Sequence, residues 1–354
     1  MLRMRAELVA KVRAAQVPQD LYEYLQGSIE LEHSTIPPYL TALYSLKPGK
    51  KNLTVARIIR SIVIEEMLHM TIAANVLNAI GGSPNINKPG FVPTYPGPLP
   101  MIVDDFKVGL SKLTRELVEK VFMRIEQPEY HVQLQMRAAA MTAAAAADAK
   151  TYATVGEFYN AIIEKLTELD AKGPLFTGKP AWQVVDNTFY TPDELFPIVD
   201  LDTATRALNV IKQQGEGTDV DPFEADGQPA HYYRFWEILK GHKLIKDPVT
   251  GKPDWKGDAV DFDESEVYDL VANSKAEMYG PDTNARLGVD LANAAYSRLL
   301  NALHGTFNGA PSKLDAALAI MDEFRLTVLE KVLTQTASDG QKVAAPSFEY
   351  VATV

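Results

Sequence analysis

The sequence predicts an all-α protein, a helical bundle with long irregular loops and additional helices near its C-terminus. Apolar residues recur every three or four positions through several long segments, which is the period of a helix with one buried face. Alternating apolar and polar residues, which are typical of a half-buried strand, do not run for any length. The chain has 354 residues, of which 46% are apolar, so it can bury a sizeable core.

The two longest predicted helices carry charged residues on their apolar faces. One spans residues 18–46 and has Glu32 within its apolar stripe. The other spans residues 55–80 and has Glu66 and His69 in the middle of its stripe. Because an ionised carboxylate in a dry core is unfavourable unless it is paired or bound to a metal, these residues require partners.

Two adjacent prolines interrupt the first of these helices. Pro37 and Pro38 lack backbone donors, so the carbonyls of His33 and Ser34 lose their usual helical partners. We therefore expect a kink or bulge just after Glu32.

Six further helices are predicted downstream, over residues 112–126, 154–170, 203–214, 229–240, 284–303 and 312–334. We expect residues 1–240 to form a metal-binding bundle with inserted loops, and residues 241–354 to form a helical extension packed on it. The alanine-rich segment 138–149 is of low complexity, and no function is assigned to it.

The charge balance limits the partners that we expect. The chain has a net charge of −11, whereas binding to nucleic acid requires a basic surface. Its N-terminus does not resemble a signal peptide. No uncharged apolar run approaches the ~20 residues of a membrane span. We expect a cytoplasmic protein that binds neither nucleic acid nor membrane.

The absence of cysteine limits the chemistry of any metal site. Without cysteine the chain has no disulfides, thiolate ligands or cysteine nucleophile. A metal site must then use His, Asp, Glu and amide or backbone oxygens, which are ligands that suit iron, manganese or zinc.

The segment "EMLH" gives Glu66 and His69 the Glu-x-x-His spacing of metal sites in helical bundles. Alone, this spacing also fits a half-exposed glutamate next to a hydrogen-bonded core histidine. Glu32 on the preceding helix favours metal, because facing helices would then both bury a carboxylate. In the alternative, Glu32 pairs with Arg57 or Arg60.

Segments along most of the chain resemble the ferritin-like family that includes the iminophenyl-pyruvate dimer synthases. They are "LEHSTIPPYLTALYSL", "IRSIVIEEMLHM", "NVLNAIGGSP", "FVPTYPGPLP", "FMRIEQPE", "TVGEFYNAI", "QQGEGT", "HYYRFWEI" and "APSFEYV". The resemblance implies a ferritin-like bundle with helical additions. It also implies an iron-dependent oxidative role in pigment or indole-alkaloid assembly.

The resemblance implies Glu32, Glu66 and His69 as metal ligands, with Glu157 as a carboxylate from a third helix. Glu157 has an alternative role, because Thr154 and Glu157 match a capping box.

The predicted helix 229–240, which would be the fourth helix of the ferritin-like bundle, departs from the pattern. Gln228 occupies the position where a glutamate should precede His231 by three residues. We expect His231 to be a ligand and Glu216, in the nearby acidic loop, to replace the missing carboxylate. Most acidic residues of that loop fit a solvated turn equally well.

Three neighbouring features receive weaker assignments. Tyr39 and Tyr232 are candidates for a substrate pocket, although aromatic residues at helical spacing usually belong to a core. Glu65 points away from Glu66, so we expect it to pair with an arginine or to orient a ligand. His33 points about 100° away from Glu32 and is expected to support the site or lie at the surface.

The leading hypothesis is a non-haem iron oxidoreductase that binds one or two iron ions and uses O₂ or peroxide. It would oxidise or couple small aromatic, amino-acid-derived substrates. A haem in addition to iron stays compatible with the sequence, as does a homo-oligomer. Two alternatives stay open: a metal-binding or storage protein without an organic substrate, and a non-catalytic scaffold in which Gln228 marks a degenerate site.

Overall fold

The computed structural model describes residues 2–103, 105–128, 152–185, 189–216, 221–224, 226–337 and 340–352. The alanine-rich segment 138–149 lies outside these ranges. The described residues are mostly helical, which confirms the predicted all-α class.

The helices of the described ranges are α1 (Ala6–Ala14), α2 (Tyr22–Tyr44), α3 (Leu53–Ala79), α4 (Arg115–Leu117), α5 (Met123–Ile125), α6 (Val155–Asp170), α7 (Leu201–Glu216), α8 (His231–Lys240), α9 (Asn284–Phe307) and α10 (Leu314–Thr327). A π-helical turn, Val118–Phe122, joins α4 to α5, and a second, Val328–Val332, follows α10. Across the described ranges no helix combines the length and apolarity needed to cross a bilayer.

Four two-residue strands, which the sequence did not predict, form two small antiparallel pairs. β1 (Met4–Arg5) pairs with β2 (Tyr152–Ala153), and β3 (Ile245–Lys246) pairs with β4 (Pro253–Asp254). They fix short loop segments and leave the helical architecture unchanged.

The centre of the bundle is the long helix pair α2 and α3, which pack against each other along their length. Their apolar stripes are fully buried, for example at Leu25 and Ile29 of α2 and at Ile59 and Ile62 of α3. Because a fully buried side chain of this size stabilises by about 1.5–3 kcal/mol, this contact fixes the register of the two helices. It also fixes the relative height of the polar residues within the stripes.

Three further helices complete the bundle around α3. Helix α6 contacts α1 and α7, while α8 contacts α3, α7 and the π-helical turn. Near its C-terminus α7 lies beside the N-terminal half of α6, since Lys212 Nζ donates to Asn160 Oδ1 over 2.6 Å. This contact places the end of α7 beside the first half of α6, as in an antiparallel pair.

Helix α2 continues through Pro37 and Pro38 without a break in its helical assignment. Ser34 lies four residues before Pro38 and three before Pro37, so no helical N–H can reach its carbonyl. The hydroxyl of the buried Tyr95 donates to that carbonyl over 2.7 Å. A side chain from the loop after α3 thus replaces the missing helical donor.

The C-terminal residues pack directly on α2 and α3. His33 Nε2 and Tyr296 Oη of α9 lie 2.7 Å apart, and Asn78 Nδ2 donates to the carbonyl of Phe307 over 2.7 Å. The amide of Asn52 makes two hydrogen bonds with the backbone of Asp263. The division into residues 1–240 and 241–354 stays a prediction.

We predict that Tyr95→Phe lowers the free energy of unfolding by about 1–3 kcal/mol, because it leaves the buried Ser34 carbonyl without a donor. Chemical denaturation of the purified protein measures the change. Tyr268→Phe is the matched control, because the Tyr268 hydroxyl makes no hydrogen bond within the described ranges. It should lower the free energy of unfolding by less than Tyr95→Phe does. Equal losses in the two variants would contradict the compensating role of Tyr95.

Candidate metal centre

Five buried side chains from four parts of the chain converge inside the bundle. They are Glu32 of α2, Glu66 and His69 of α3, Glu126 directly after α5, and His231 at the start of α8. They form two overlapping groups of three possible metal ligands, and Glu66 belongs to both.

The first group joins α2 to α3. His69 Nδ1 lies 3.7 Å from Glu32 Oε2 and 3.8 Å from Glu66 Oε1. The Glu66–His69 spacing places both side chains on one face of α3, and the α2–α3 packing brings Glu32 to the same level. The three residues are at most 7% exposed.

The second group lies on the other side of Glu66. His231 Nδ1 lies 2.9 Å from Glu66 Oε1 and 3.4 Å from Glu126 Oε2. The same Glu66 oxygen therefore approaches both histidines, whose rings are nearly parallel with their centroids 5.4 Å apart. If each group held an ion, Glu66 would be the ligand that the two ions share.

A glutamine fixes the orientation of His69. Gln214 Oε1 lies 2.9 Å from His69 Nε2, while Gln214 Nε2 donates to Glu194 over 3.1 Å. Since the amide nitrogen of Gln214 is engaged by a carboxylate, its oxygen accepts from His69 Nε2–H. His69 Nδ1 then faces Glu32 and Glu66, where it would offer its lone pair to a metal ion once it is deprotonated.

Glu65 holds His231 in the same manner. His231 Nε2 lies 2.9 Å from Glu65 Oε2, and both terminal nitrogens of Arg234 donate to the Glu65 carboxylate. Burial opposes the ionisation of Glu65, but Arg234 and His231 outweigh it and hold its pKa well below the usual range. Glu65 thus pairs with an arginine and orients a ligand, as the sequence suggested. Arg234 also contacts Glu224 over 3.2 Å.

Three hydroxyl groups hold the carboxylates of the cluster. The Tyr159 hydroxyl donates to Glu32 and the Tyr39 hydroxyl donates to Glu126. Thr35 Oγ1 donates to Glu66 Oε2 over 2.8 Å, which leaves Glu66 Oε1 directed at the histidines. Each donor engages one carboxylate oxygen and leaves the other available to an ion.

The charges of the cluster favour protons or cations. Burial and the neighbouring Glu126 raise the pKa of Glu66. Burial disfavours protonated histidine, but the surrounding carboxylates outweigh it and raise the pKa values of His69 and His231 above the usual value of 6.5. The site therefore favours the binding of protons or of cations, and a metal ion would compete with protons for these ligands.

The geometry also fits bound metal. His231 Nδ1 is buried and makes no hydrogen bond of acceptable geometry with the described residues, although two carboxylates lie beside it. Ligand atoms that bind one ion at about 2.1 Å lie roughly 3–4 Å apart. The histidine–carboxylate distances of 2.9 to 3.8 Å match that range.

A small cavity lies against the cluster. Its volume is about 60 Å³, and Glu32, Glu66, His69, Glu126 and Tyr159 contribute to its wall. Pockets for organic ligands commonly measure about 300–1,000 Å³. The cavity therefore accommodates molecules of the size of water or dioxygen, but not an aromatic substrate.

A sequence model of the Ferritin-like family matches residues 25–240, a range that contains all five residues of the cluster. The chain belongs to the ferritin-like family. The crystal structure of a ferritin-like protein from Caulobacter vibrioides is similar over 95% of this chain and 99% of that one, with a TM-score of 0.61 and 24% identity. This likeness shows the ferritin-like fold. No curated protein matches the chain.

The structure brings together four of the six ligands proposed from sequence, namely Glu32, Glu66, His69 and His231. Glu157 instead closes a capping box at the start of α6, where its carboxylate accepts from the Thr154 backbone N–H over 2.8 Å. It lies outside both groups of possible ligands. Glu216 is the last residue of α7, and its side chain lies outside the described residues.

Glu126 is the carboxylate that sequence reasoning missed. It follows Val118 and Phe122 at intervals of four residues, and all three are buried. A glutamate in register with an apolar helical stripe is the signal that identified Glu32, but Glu126 lies where its stripe ends, so the signal there is weaker. Gln228, where a further carboxylate was expected, is exposed.

The two tyrosines that were candidates for a substrate pocket have different environments. Tyr39 is fully buried and donates to Glu126, so it supports this ferritin-like cluster. Tyr232 packs edge-on against Tyr233 and Trp236, as a core residue does, and it does not line the cavity.

We predict that Gln214→Ala lowers the metal affinity by roughly 10–100-fold, because His69 loses the acceptor that fixes its ring. Titration against a competing chelator measures this loss. Gln213→Ala changes the exposed neighbour on the same helix and should leave the affinity unchanged. Equal affinities of the two variants would refute the role of Gln214.

We predict that metal binding releases protons and strengthens as the pH rises. A raised histidine pKa stabilises the metal-free fold below the ordinary value of 6.5, and this contribution is lost as the pH rises through the raised pKa. Thermal stabilisation by saturating Zn²⁺ should therefore be larger at about pH 8 than at about pH 6. A stabilisation that does not depend on pH would contradict protonated histidines in the metal-free site.

Proposed function

We propose that this ferritin-like protein is an iron-dependent oxidoreductase that holds two iron ions and reacts with O₂ or peroxide. The observation that carries the proposal is the position of Glu66 Oε1, which lies within ligand–ligand distance of both His69 and His231. Two histidines and three carboxylates without any sulfur ligand suit iron. Ferritin-like bundles place such ligands on facing helices.

For the organic substrate we propose a small aromatic molecule derived from an amino acid, which the protein oxidises or couples. The resemblance to iminophenyl-pyruvate dimer synthases supports this choice, and the substrate would carry an imine group. We expect a cytoplasmic enzyme whose partners are this substrate and the oxidant.

The carboxylate ligands neutralise only part of the positive charge of two Fe²⁺ ions. Three carboxylates contribute three negative charges against four positive charges of two Fe²⁺ ions, whereas the usual ferritin-like site has four carboxylates. Glu65 contributes a further negative charge behind His231, although it shares that charge with Arg234. The centre would therefore retain a positive charge that favours an anionic oxidant or substrate.

Bound ferrous iron with an open position would supply electrons to O₂ or peroxide. The protein's contribution is to orient ligands and exclude water. Gln214 and Glu65 keep both Nδ1 atoms unprotonated towards the ions, while Tyr39 and Tyr159 anchor Glu126 and Glu32. Because both tyrosine hydroxyls donate hydrogen bonds to ligand carboxylates, they would stabilise the ionised form in which these carboxylates bind metal.

A second candidate function is oxidation or storage of metal without an organic substrate. The cavity beside the cluster favours it, because about 60 Å³ admits dioxygen or peroxide but no aromatic ring. In the oxidoreductase, the organic substrate would have to act from the cavity opening, or the cavity walls would have to move apart.

We predict that purified protein reconstituted with Fe²⁺ binds two iron ions per chain. Glu66→Ala should bind almost none, because it removes the shared ligand, and Glu126→Ala should retain about one at the Glu32 side. Glu157→Ala is the control, and its iron content should equal that of the wild type. Iron loss in Glu157→Ala with retention in Glu126→Ala would reverse the assignment of the third carboxylate.

Oxygen uptake distinguishes the two candidate functions. An oxidoreductase should consume O₂ in proportion to an added imine of an aromatic 2-oxo acid, over many turnovers. A storage protein should stop after its Fe²⁺ is oxidised, with or without the imine. Uptake that does not depend on the imine would contradict the proposed substrate while leaving the metal site intact.

A further inference from the structure

A second cavity of about 500 Å³ lies between α2, α3, α9 and α10, and we call it the apolar pocket. Its wall includes Leu40 of α2, Met67 of α3, Leu300 of α9 and Leu318 of α10. None of the five metal-site residues lines it. Its volume falls in the range of organic ligand sites.

Arginines at the exposed end of the apolar pocket provide positive charge. Arg57 and Arg60 of α3 are exposed and line the pocket, and within the described ranges neither has a hydrogen bond or an ion pair. Arg325 also lines it and pairs with Asp322 over 3.2 Å. The net charge of the rim is thus positive, although the chain as a whole carries −11.

His33 lies at the inner end of the apolar pocket. It is 3% exposed, and its Nε2 lies 2.7 Å from the hydroxyl of Tyr296, which also lines the pocket. Its other ring nitrogen, Nδ1, is buried and has no hydrogen-bond partner among the described residues. A buried nitrogen without a partner is unfavourable, so a ligand that displaces the side chains shielding Nδ1 and offers it a polar atom would be stabilised.

The separation of these features indicates a long ligand. Glu32 contacts His69 and Thr35 contacts Glu66, so His33, which lies between them on α2, is near the level of Leu68 on α3. Eight residues separate Arg60 from Leu68 and eleven separate Arg57 from it, which corresponds to about 12–17 Å along the helix. A slender chain can span this distance within the pocket, whereas a partner helix cannot reach the buried histidine.

We propose that the apolar pocket binds a long-chain carboxylic acid that carries a hydroxyl or carbonyl group at its far end. The carboxylate lies at Arg57 and Arg60, the alkyl chain contacts the leucine and methionine side chains, and the far polar group hydrogen-bonds to His33 Nδ1. This site is separate from the metal centre and does not depend on its function.

Calorimetric titration of the wild-type protein with dodecanoate, its ω-hydroxy derivative and dodecanol tests the proposal without any substitution. The hydroxy acid should bind about fivefold or more tightly than dodecanoate, which in turn should bind more tightly than dodecanol. No binding, equal binding of acid and alcohol, or weaker binding of the hydroxy acid would overturn it.

Variants locate the ligand. The double variant Arg57→Gln/Arg60→Gln should lower the binding affinity for the acids by about fivefold or more. The control Lys11→Gln/Arg13→Gln removes the same charge from exposed α1 and should leave the affinity unchanged. Met67→Trp should block binding while the metal content is retained. Equal effects of the two double variants on affinity would contradict the proposal. A wild-type dimer that Met67→Trp disrupts would also contradict it, because a second copy of the chain would then cover the pocket.

Discussion

The burial of Glu66 is the constraint on which the rest of this structure depends. The residue is 3% exposed and lies among two other carboxylates, an arrangement that a dry core tolerates only with protons or cations. The surrounding groups serve this requirement. Two histidines face one of its oxygens, Thr35 donates to the other, and outer partners fix both rings.

This requirement also explains which parts of the site the sequence could predict. Glu32, Glu66 and His69 lie within long apolar stripes, so helical periodicity alone marks them as buried charges. His231 and Glu126 lie at helix ends, where the stripe begins or stops and periodicity gives little information. Glu157 could have been a metal ligand by residue type, but its capping hydrogen bond keeps its carboxylate at the start of α6.

The sequence likewise predicted some elements of the fold and missed others. Apolar spacing predicted the central helices and the C-terminal pair to within a few residues, because burial of the stripe determines them. The two-residue strands and the π-helical turns depend on contacts between segments distant in sequence, or on local hydrogen-bond shifts that periodicity does not reveal. Tyr95, which replaces the donor lost at Pro38, is likewise fixed only by the tertiary fold.

Anomalous diffraction from crystals soaked in Fe²⁺ or Mn²⁺ tests the central claim most directly. The account predicts two peaks about 3.5–4 Å apart, with Glu66 Oε1 between them, His69 on one ion and His231 on the other. A single peak bound by only one histidine, or the absence of metal within reach of Glu66, would contradict a dinuclear centre built on this residue.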